Sequence, residues 1–207
     1  MKAYTQINVD LKPDEGGLSP FFPLLQKGFA IKARAGSSIK NLLCEQLGVD
    51  ADYFEDRIQT IFLDGKPVDD AETAIVRDGC TVALSAAMPG LVGSTFRRGG
   101  ALAAFRNGIT HRERTGIFGM EGDETVTVKL FNLLIGELGP VFLQEGIWIH
   151  HRDAKRALRD LSESPFSCVE LLEKDGREIP LDPFAALDWP EEPGDVLLRV
   201  TIEGRNA

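Results

Sequence analysis

One phrase is written twice in this chain. Leu25-Gln26-Lys27-Gly28-Phe29-Ala30-Ile31-Lys32-Ala33-Arg34 returns as Leu143-Gln144-Glu145-Gly146-Ile147-Trp148-Ile149-His150-His151-Arg152, with five of the ten positions identical. The continuation of each copy recurs too: a helical pattern, a strand, an Asp-Gly turn and a last apolar strand opened by a glycine. A supersecondary plan used twice argues for two similar small domains rather than one large one. The 207 residues suit two domains of about 100 each.

In the first copy, Gln6 to Leu11 alternates with period two and predicts an opening strand. A loop rich in Gly, Pro and acid comes next, with Phe21, Phe22, Leu24 and Leu25 expected over the core near the turn. Phe29 to Ala33 is expected as the return strand of a hairpin. Gly36-Ser37-Ser38 offers an N-cap for a helix carrying Ile39, Leu42, Leu43 and Leu47 on one face and stopped by Gly48. Ile58 to Leu63 leads into Asp64-Gly65, the dipeptide favoured by two-residue hairpins. Asp78-Gly79 then opens the final strand, Cys80 to Ser85.

The second copy repeats the scheme. Thr125 to Phe131 opens it and Gly146 to His150 returns. Asp153 is expected to cap a helix bearing Ala154, Ala157, Leu158 and Leu161. Cys168 to Leu172 runs to the turn Asp175-Gly176, and Gly194 to Val200 closes the sheet. Each copy thus predicts an α+β domain, one main helix over a mixed sheet of four or five strands. The expected boundaries are 1–92, a basic Gly-containing linker at 93–123, and 124–207. Within the linker, Ala101 to Arg106 suits a short helix, and Gly116, Gly119 and Gly122 mark a flexible end.

Ile61-Phe62-Leu63-Asp64-Gly65-Lys66-Pro67-Val68, followed by Val76-Arg77-Asp78-Gly79-Cys80-Thr81-Val82-Ala83-Leu84-Ser85-Ala86-Ala87-Met88-Pro89-Gly90, resembles the MoaD/ThiS sulfur carriers, a branch of the β-grasp (ubiquitin-like) fold. The resemblance covers about residues 4–91. For 124–203 it rests mainly on the internal repeat. It implies two tandem β-grasp domains. In that family the function belongs to a terminal Gly-Gly, whose carboxylate an E1-like enzyme adenylates before sulfur is attached. Glycines suit a tail that must thread a narrow channel, where side chains would clash. Here the pair falls at Gly90-Leu91 and the chain continues, so an ordinary carrier is excluded. Arg97-Arg98-Gly99-Gly100 looks like the Arg-Gly-Gly end of ubiquitin and marks the alternative of a precursor cut after Gly100.

Charge and composition narrow the function classes. The net charge of −9 argues against nucleic acid, whose phosphates call for a basic face. Yet Arg97, Arg98, Arg106, Arg112 and Arg114 crowd into Ser94–Arg114 against Glu113 alone. An acidic body with a basic joint predicts either a solvated connector or an electrostatic contact, within the molecule or with an acidic partner. No run approaches the ~18 apolar residues of a membrane span, and the N-terminus lacks the apolar block of a signal peptide. Cys44, Cys80 and Cys168 show no CxxC spacing and predict reduced, structural thiols in a cytoplasmic protein.

No catalytic constellation is legible. Neither G-x-x-x-x-G-K-[ST] nor G-x-G-x-x-G occurs. His150 and His151, adjacent on a strand, should point to opposite faces, and a metal would need a third ligand such as His111. Asp188, Glu191, Glu192 and Asp195 surround two prolines and predict a solvated loop rather than a calcium site. Ser85 to Phe96 is small, apolar and uncharged. Exposed, it would be a docking segment; packed into a cleft, an interface.

These readings predict a non-catalytic protein-interaction module without a cofactor. The resemblance implies a protein partner such as an E1-like adenylating enzyme or a molybdopterin- or thiamine-type sulfur-transfer protein. A site for a small ligand in an interdomain cleft is the remaining alternative.

Overall fold

The computed structural model describes residues 4–12, 17–113, 122–163, 169–179 and 194–202. The first half carries β1 (Thr5–Leu11), α1 (Phe22–Lys27), β2 (Phe29–Arg34), α2 (Ala51–Arg57), β3 (Thr60–Leu63), β4 (Lys66–Val68), β5 (Thr81–Ser85) and α3 (Gly90–Phe96). The second carries β6 (Asp123–Phe131), α4 (Leu134–Glu145), β7 (Ile147–His150), α5 (His151–Ser162), β8 (Val169–Lys174), β9 (Arg177–Glu178) and β10 (Asp195–Ile202). The protein is α+β, with parallel and antiparallel strand pairs.

Two compact units divide the chain, and each draws on both copies of the repeat. Unit 1 is Met1–Phe29 with Gly139–Ala207; unit 2 is Ala30–Leu138. The unit boundaries fall within β2 and within α4.

In unit 2 the strands run β4-β3-β5-β6-β2. β3 and β4 form the expected hairpin, with Asp64 and Gly65 at φ 50° and 74°. Positive φ at both central residues is what a two-residue turn matching strand twist requires. β5 lies antiparallel to β3 and parallel to β6. The predicted helix is present, wound wider than an α-helix over Asn41–Gln46. Ser38 Oγ accepts from Asn41 N–H at its start, and Gly48 adopts φ 69° past its end. Ile39, Leu42, Leu43, Phe54, Ile61, Val82, Leu84, Val128 and Leu130 fill the core.

In unit 1 the order is β7-β10-β1-β8-β9. β1 pairs parallel with β10 from Thr5↔Val196 to Leu11↔Ile202, and antiparallel with β8. Ile7, Val9 and Leu11 alternate inward with Val196, Leu198 and Val200. α5 buries Ala154, Ala157, Leu158 and Leu161, the face read from the sequence.

Three expectations change. First, β1 does not pair with β2, nor β6 with β7: in each copy a helix (α1 or α4) stands between the two strands, so no tight hairpin forms. Second, the recurring glycine ends that helix. Gly28 and Gly146 take φ 119° and 101° and donate to the carbonyls of Leu24 and Phe142, turning helix into strand. Third, His150 rather than Asp153 caps α5, its Nδ1 accepting from Arg152 N–H at 3.3 Å. Asp153 sits one turn inside and accepts from Lys27 Nζ at 2.6 Å.

Candidate functional site

The described part of the basic joint, to Glu113, is folded onto unit 2, and one arginine fastens it. Arg106 is 3% exposed. Its Nη1 donates to Asp69 Oδ2 at 3.0 Å and Thr110 Oγ1 at 2.9 Å. Its Nη2 donates to Asp69 Oδ1 at 2.5 Å and the Arg97 carbonyl at 3.3 Å, and Nε to the Thr95 carbonyl at 2.7 Å. That matches a guanidinium's full donor inventory. A buried cation is tolerated when it is paired and its remaining donors are satisfied.

Arg98 makes a second fastening. Its backbone N–H donates to the Gln59 carbonyl at 2.8 Å, and its guanidinium lies 4.6 Å from the Phe54 ring centroid while donating to Glu55 Oε2 at 2.8 Å. A guanidinium over an aromatic face gains from the ring quadrupole. Gly99 N–H donates to Asp69 Oδ1 at 3.2 Å and Gly100 N–H to the Arg97 carbonyl at 3.1 Å. Farther on, His111 N–H reaches the Pro67 carbonyl at 2.7 Å, and Glu113 accepts from Ile75 N–H and Arg77. Burial alone would raise the Glu113 carboxyl, yet these hydrogen bonds hold it below its ordinary value. The electrostatic contact expected of the basic joint is therefore made within unit 2.

A groove of about 900 Å³ runs beside this segment. Lys40, Asp56, Gln59, Asp70 and Glu72 line it together with Ser94 and the stretch Arg97 to Leu102. Lys40 bridges Glu55 at 3.2 Å and Glu72 at 2.7 Å, and both carboxylates raise its pKa. Asp70 accepts from the backbone N–H of Glu72 and Thr73. It titrates below its ordinary value, chiefly through the Thr73 side chain. The Arg97 side chain is exposed and, among the described residues, makes no ion pair. Thus the four residues Arg97, Arg98, Gly99 and Gly100 sit together on the groove wall in a hydrogen-bonded turn, with Gly99 at φ 62°.

The positions matching the family tail behave differently from a tail. Gly90, at φ 75°, starts α3, and Leu91 is its next residue. Gly93 closes this turn, since a Cβ there would lie 1.9 Å from the Met88 carbonyl oxygen. The small apolar stretch from Ser85 to Phe96 splits in two. Ser85, Ala86 and Gly93 are buried, and the Phe96 ring packs tilted against Phe62, centroids 5.4 Å apart. Leu91 and Val92, however, stand 75% and 65% exposed. Phe105 and Ile109, farther along the same segment, are 83% and 55% exposed. Of six exposed large hydrophobic residues among those described, four lie on this one segment.

Elsewhere the candidates stay apart. His150 and His151 do not diverge, because the strand ends between them; their rings lie 4.2 Å apart. His111 belongs to unit 2 and sits 3.3 Å from Glu113. Among the described residues no three His, Cys, Asp or Glu side chains gather as metal ligands. Burial pushes the Cys44 and Cys80 thiols up, away from thiolate chemistry. Asp195 opens β10, whereas Asp188, Glu191 and Glu192 lie outside the described residues, as do Arg114, Gly116, Gly119 and Cys168. No helix among the described residues is long and apolar enough to cross a membrane. Sequence reasoning missed Arg106 as an anchor and Phe105 and Ile109 as exposed apolar residues; the only cue was apolar residues recurring inside a basic run. Compared with known proteins, the chain matches no family model, no curated protein and no solved structure.

Proposed function

We propose that this chain is a non-catalytic protein-interaction module whose partner docks on the ledge formed by α3 and the turns up to Ile109. The observation that carries this reading is the exposure of Leu91, Val92, Phe105 and Ile109 on a segment otherwise fastened by Arg98 and Arg106. Exposed apolar side chains on a preorganised support lower the ordering cost of binding. The groove beside them adds polar and charged groups for orientation.

Unit 2 also supports a β-grasp ancestry. Its two central strands, β5 and β6, run parallel, and the β3–β4 hairpin lies antiparallel against β5. On that ancestry the partner is a protein of the sulfur-transfer type, an E1-like adenylating enzyme or a molybdopterin- or thiamine-type transfer protein. The precursor reading is the weaker one. Cutting after Gly100 would sever the covalent link between β5 and β6 and leave Arg106 on a different fragment from the Arg97 carbonyl it bonds.

A photo-crosslinking residue placed at Val92 in the native cell tests the proposal. We expect one discrete protein adduct, absent with a probe at exposed Glu170 and lost when Leu91→Asp and Phe105→Asp are combined. Equal labelling from both positions, or adducts indifferent to the double substitution, would sink it. Neither side chain is buried, so stability should move by no more than about 0.5 kcal/mol.

A further inference from the structure

The strand orders of the two units point to an interaction inside the chain that the repeat alone does not suggest. β6 belongs to the second copy, yet it lies beside β5 of the first. Thr127, Val128, Lys129, Leu130 and Phe131 pair with Thr81 through Ser85. Thr125 N–H donates to Asp78 Oδ1 at 2.9 Å, and Thr127 N–H to the Cys80 carbonyl at 2.9 Å. Lys32 Nζ reaches Thr125 Oγ1 at 2.8 Å, and Val126, Val128 and Leu130 are fully buried.

The reciprocal holds in the other unit. β1 belongs to the first copy but lies between β10 and β8 of the second. Its register there is pinned by polar groups as well as by burial. Gln6 N–H donates to Asp175 Oδ1 while Asp175 N–H donates to the Gln6 carbonyl, both at 2.9 Å. Asn8 Nδ2 donates to Glu173 Oε2 at 3.1 Å. A one-residue slip would turn Ile7, Val9 and Leu11 out of the core and break every one of these bonds.

Neither donated strand is at an edge. Without β6, β5 would present an open row of backbone donors and acceptors beside an uncovered core. Without β1, β10 would have no link to the β8–β9 hairpin. We propose that each half of the chain carries a strand-accepting site whose specific ligand is the first strand of the other half, so that the halves bind each other and neither folds alone. Main-chain pairing supplies the affinity, and the inward apolar positions supply the selectivity, as when an extended peptide is added to a sheet.

The test cuts the intact protein. A protease site inserted between Glu113 and Gly122 is cleaved after purification, and the product is followed by native size-exclusion chromatography with light scattering. The expected result is one species holding both fragments in equal amount, separable only in denaturant. Each fragment refolded alone should lack a cooperative urea transition, and mixing should restore it. Thr127→Pro, which removes the N–H bonded to Cys80, should raise the concentration at which the fragments part at least tenfold, while Thr127→Val should not. Fragments that part in native buffer, or either one unfolding cooperatively alone, would overturn the proposal. The result bears on assembly only; crosslinking from Val92 in the uncut chain reads the docking ledge separately.

Discussion

Unit 1 and unit 2 are built from matching elements but arrange them differently. In unit 2 the hairpin (β3–β4) lies against the last strand of its own copy, β5. In unit 1 the corresponding hairpin (β8–β9) lies against the borrowed strand β1, and the last strand β10 sits on the far side next to β7. The parallel central pair is common to both, yet its two members have traded places. Both strands of each pair bury every second side chain, so either satisfies the core equally well. Alternation sets which face is buried, while polar pins such as Gln6–Asp175 and Asp78–Thr125 decide the neighbour. The units differ also in what they carry: unit 2 has the fastened ledge and groove.

The strongest way to break this comparison is to put a charge into each exchanged strand. Val128→Asp should unfold unit 2, because an unpaired carboxylate in a closed core costs at least ~4 kcal/mol. Hydrogen exchange should then show protection lost at Ile61, Val82 and Leu84, residues of the other copy. Ile7→Asp should do the same to Val196, Leu198 and Leu172 of unit 1. Losses confined to each substituted residue's own copy would refute the exchange.

Arg106→Met comes next. It removes the cation beside Asp69, which is one-third exposed and keeps the Gly99 N–H, and the donor to the Thr95 carbonyl, a change of about 1–3 kcal/mol. Calorimetry should place the loss in unit 2, with exchange in unit 1 unchanged. Gly93→Ala should cost about 1–3 kcal/mol, since the new Cβ meets backbone at Met88 rather than a movable side chain. Loss of crosslinking from Val92 should accompany both.

The smallest effect separates the units by pH. In unit 2, hydrogen bonds lower the carboxyls of Asp70, Glu113 and Glu137; for Glu137 the donors are Arg57 first and then Tyr53. A depressed folded pKa gives stability that is present above the unfolded value, about 4, and lost as pH falls through the folded one. In unit 1, desolvation first and His150 second lower the pKa of His151, whose Nδ1 is buried and has no hydrogen-bond partner among the described residues. The unfolded state then binds the proton more readily, so stability falls as pH drops through about 6.5. Exchange in unit 1 should quicken as pH falls below about 6.5, and in unit 2 only below about pH 4. A single transition shared by both would remove this distinction.

Much of the local structure was legible because the residues concerned leave few options. Asp64-Gly65 and Asp175-Gly176 occupy positive φ, which little else tolerates, and the apolar stripe of α5 fits one face only. α4 was hidden by Gly136, Gly139 and Pro140, poor helix formers retained because Leu134, Leu138, Phe142 and Leu143 are buried. The burial of Arg106 left no mark, because an arginine beside other arginines reads alike whether it meets water or a distant Asp69. Strand partners were illegible because two equally apolar strands compete for one place.

The place of β1 has a consequence for the making of the protein. β1 leaves the ribosome some 190 residues ahead of β10, the strand it pairs with in parallel. At a synthesis rate of about 5–20 residues per second, β1 waits roughly 10–40 s before its parallel partner exists. During that interval it is open to chaperones and to neighbouring nascent chains. Unit 1 thus closes only after β10 has been made, whereas unit 2 can close once β6 and the start of α4 have emerged.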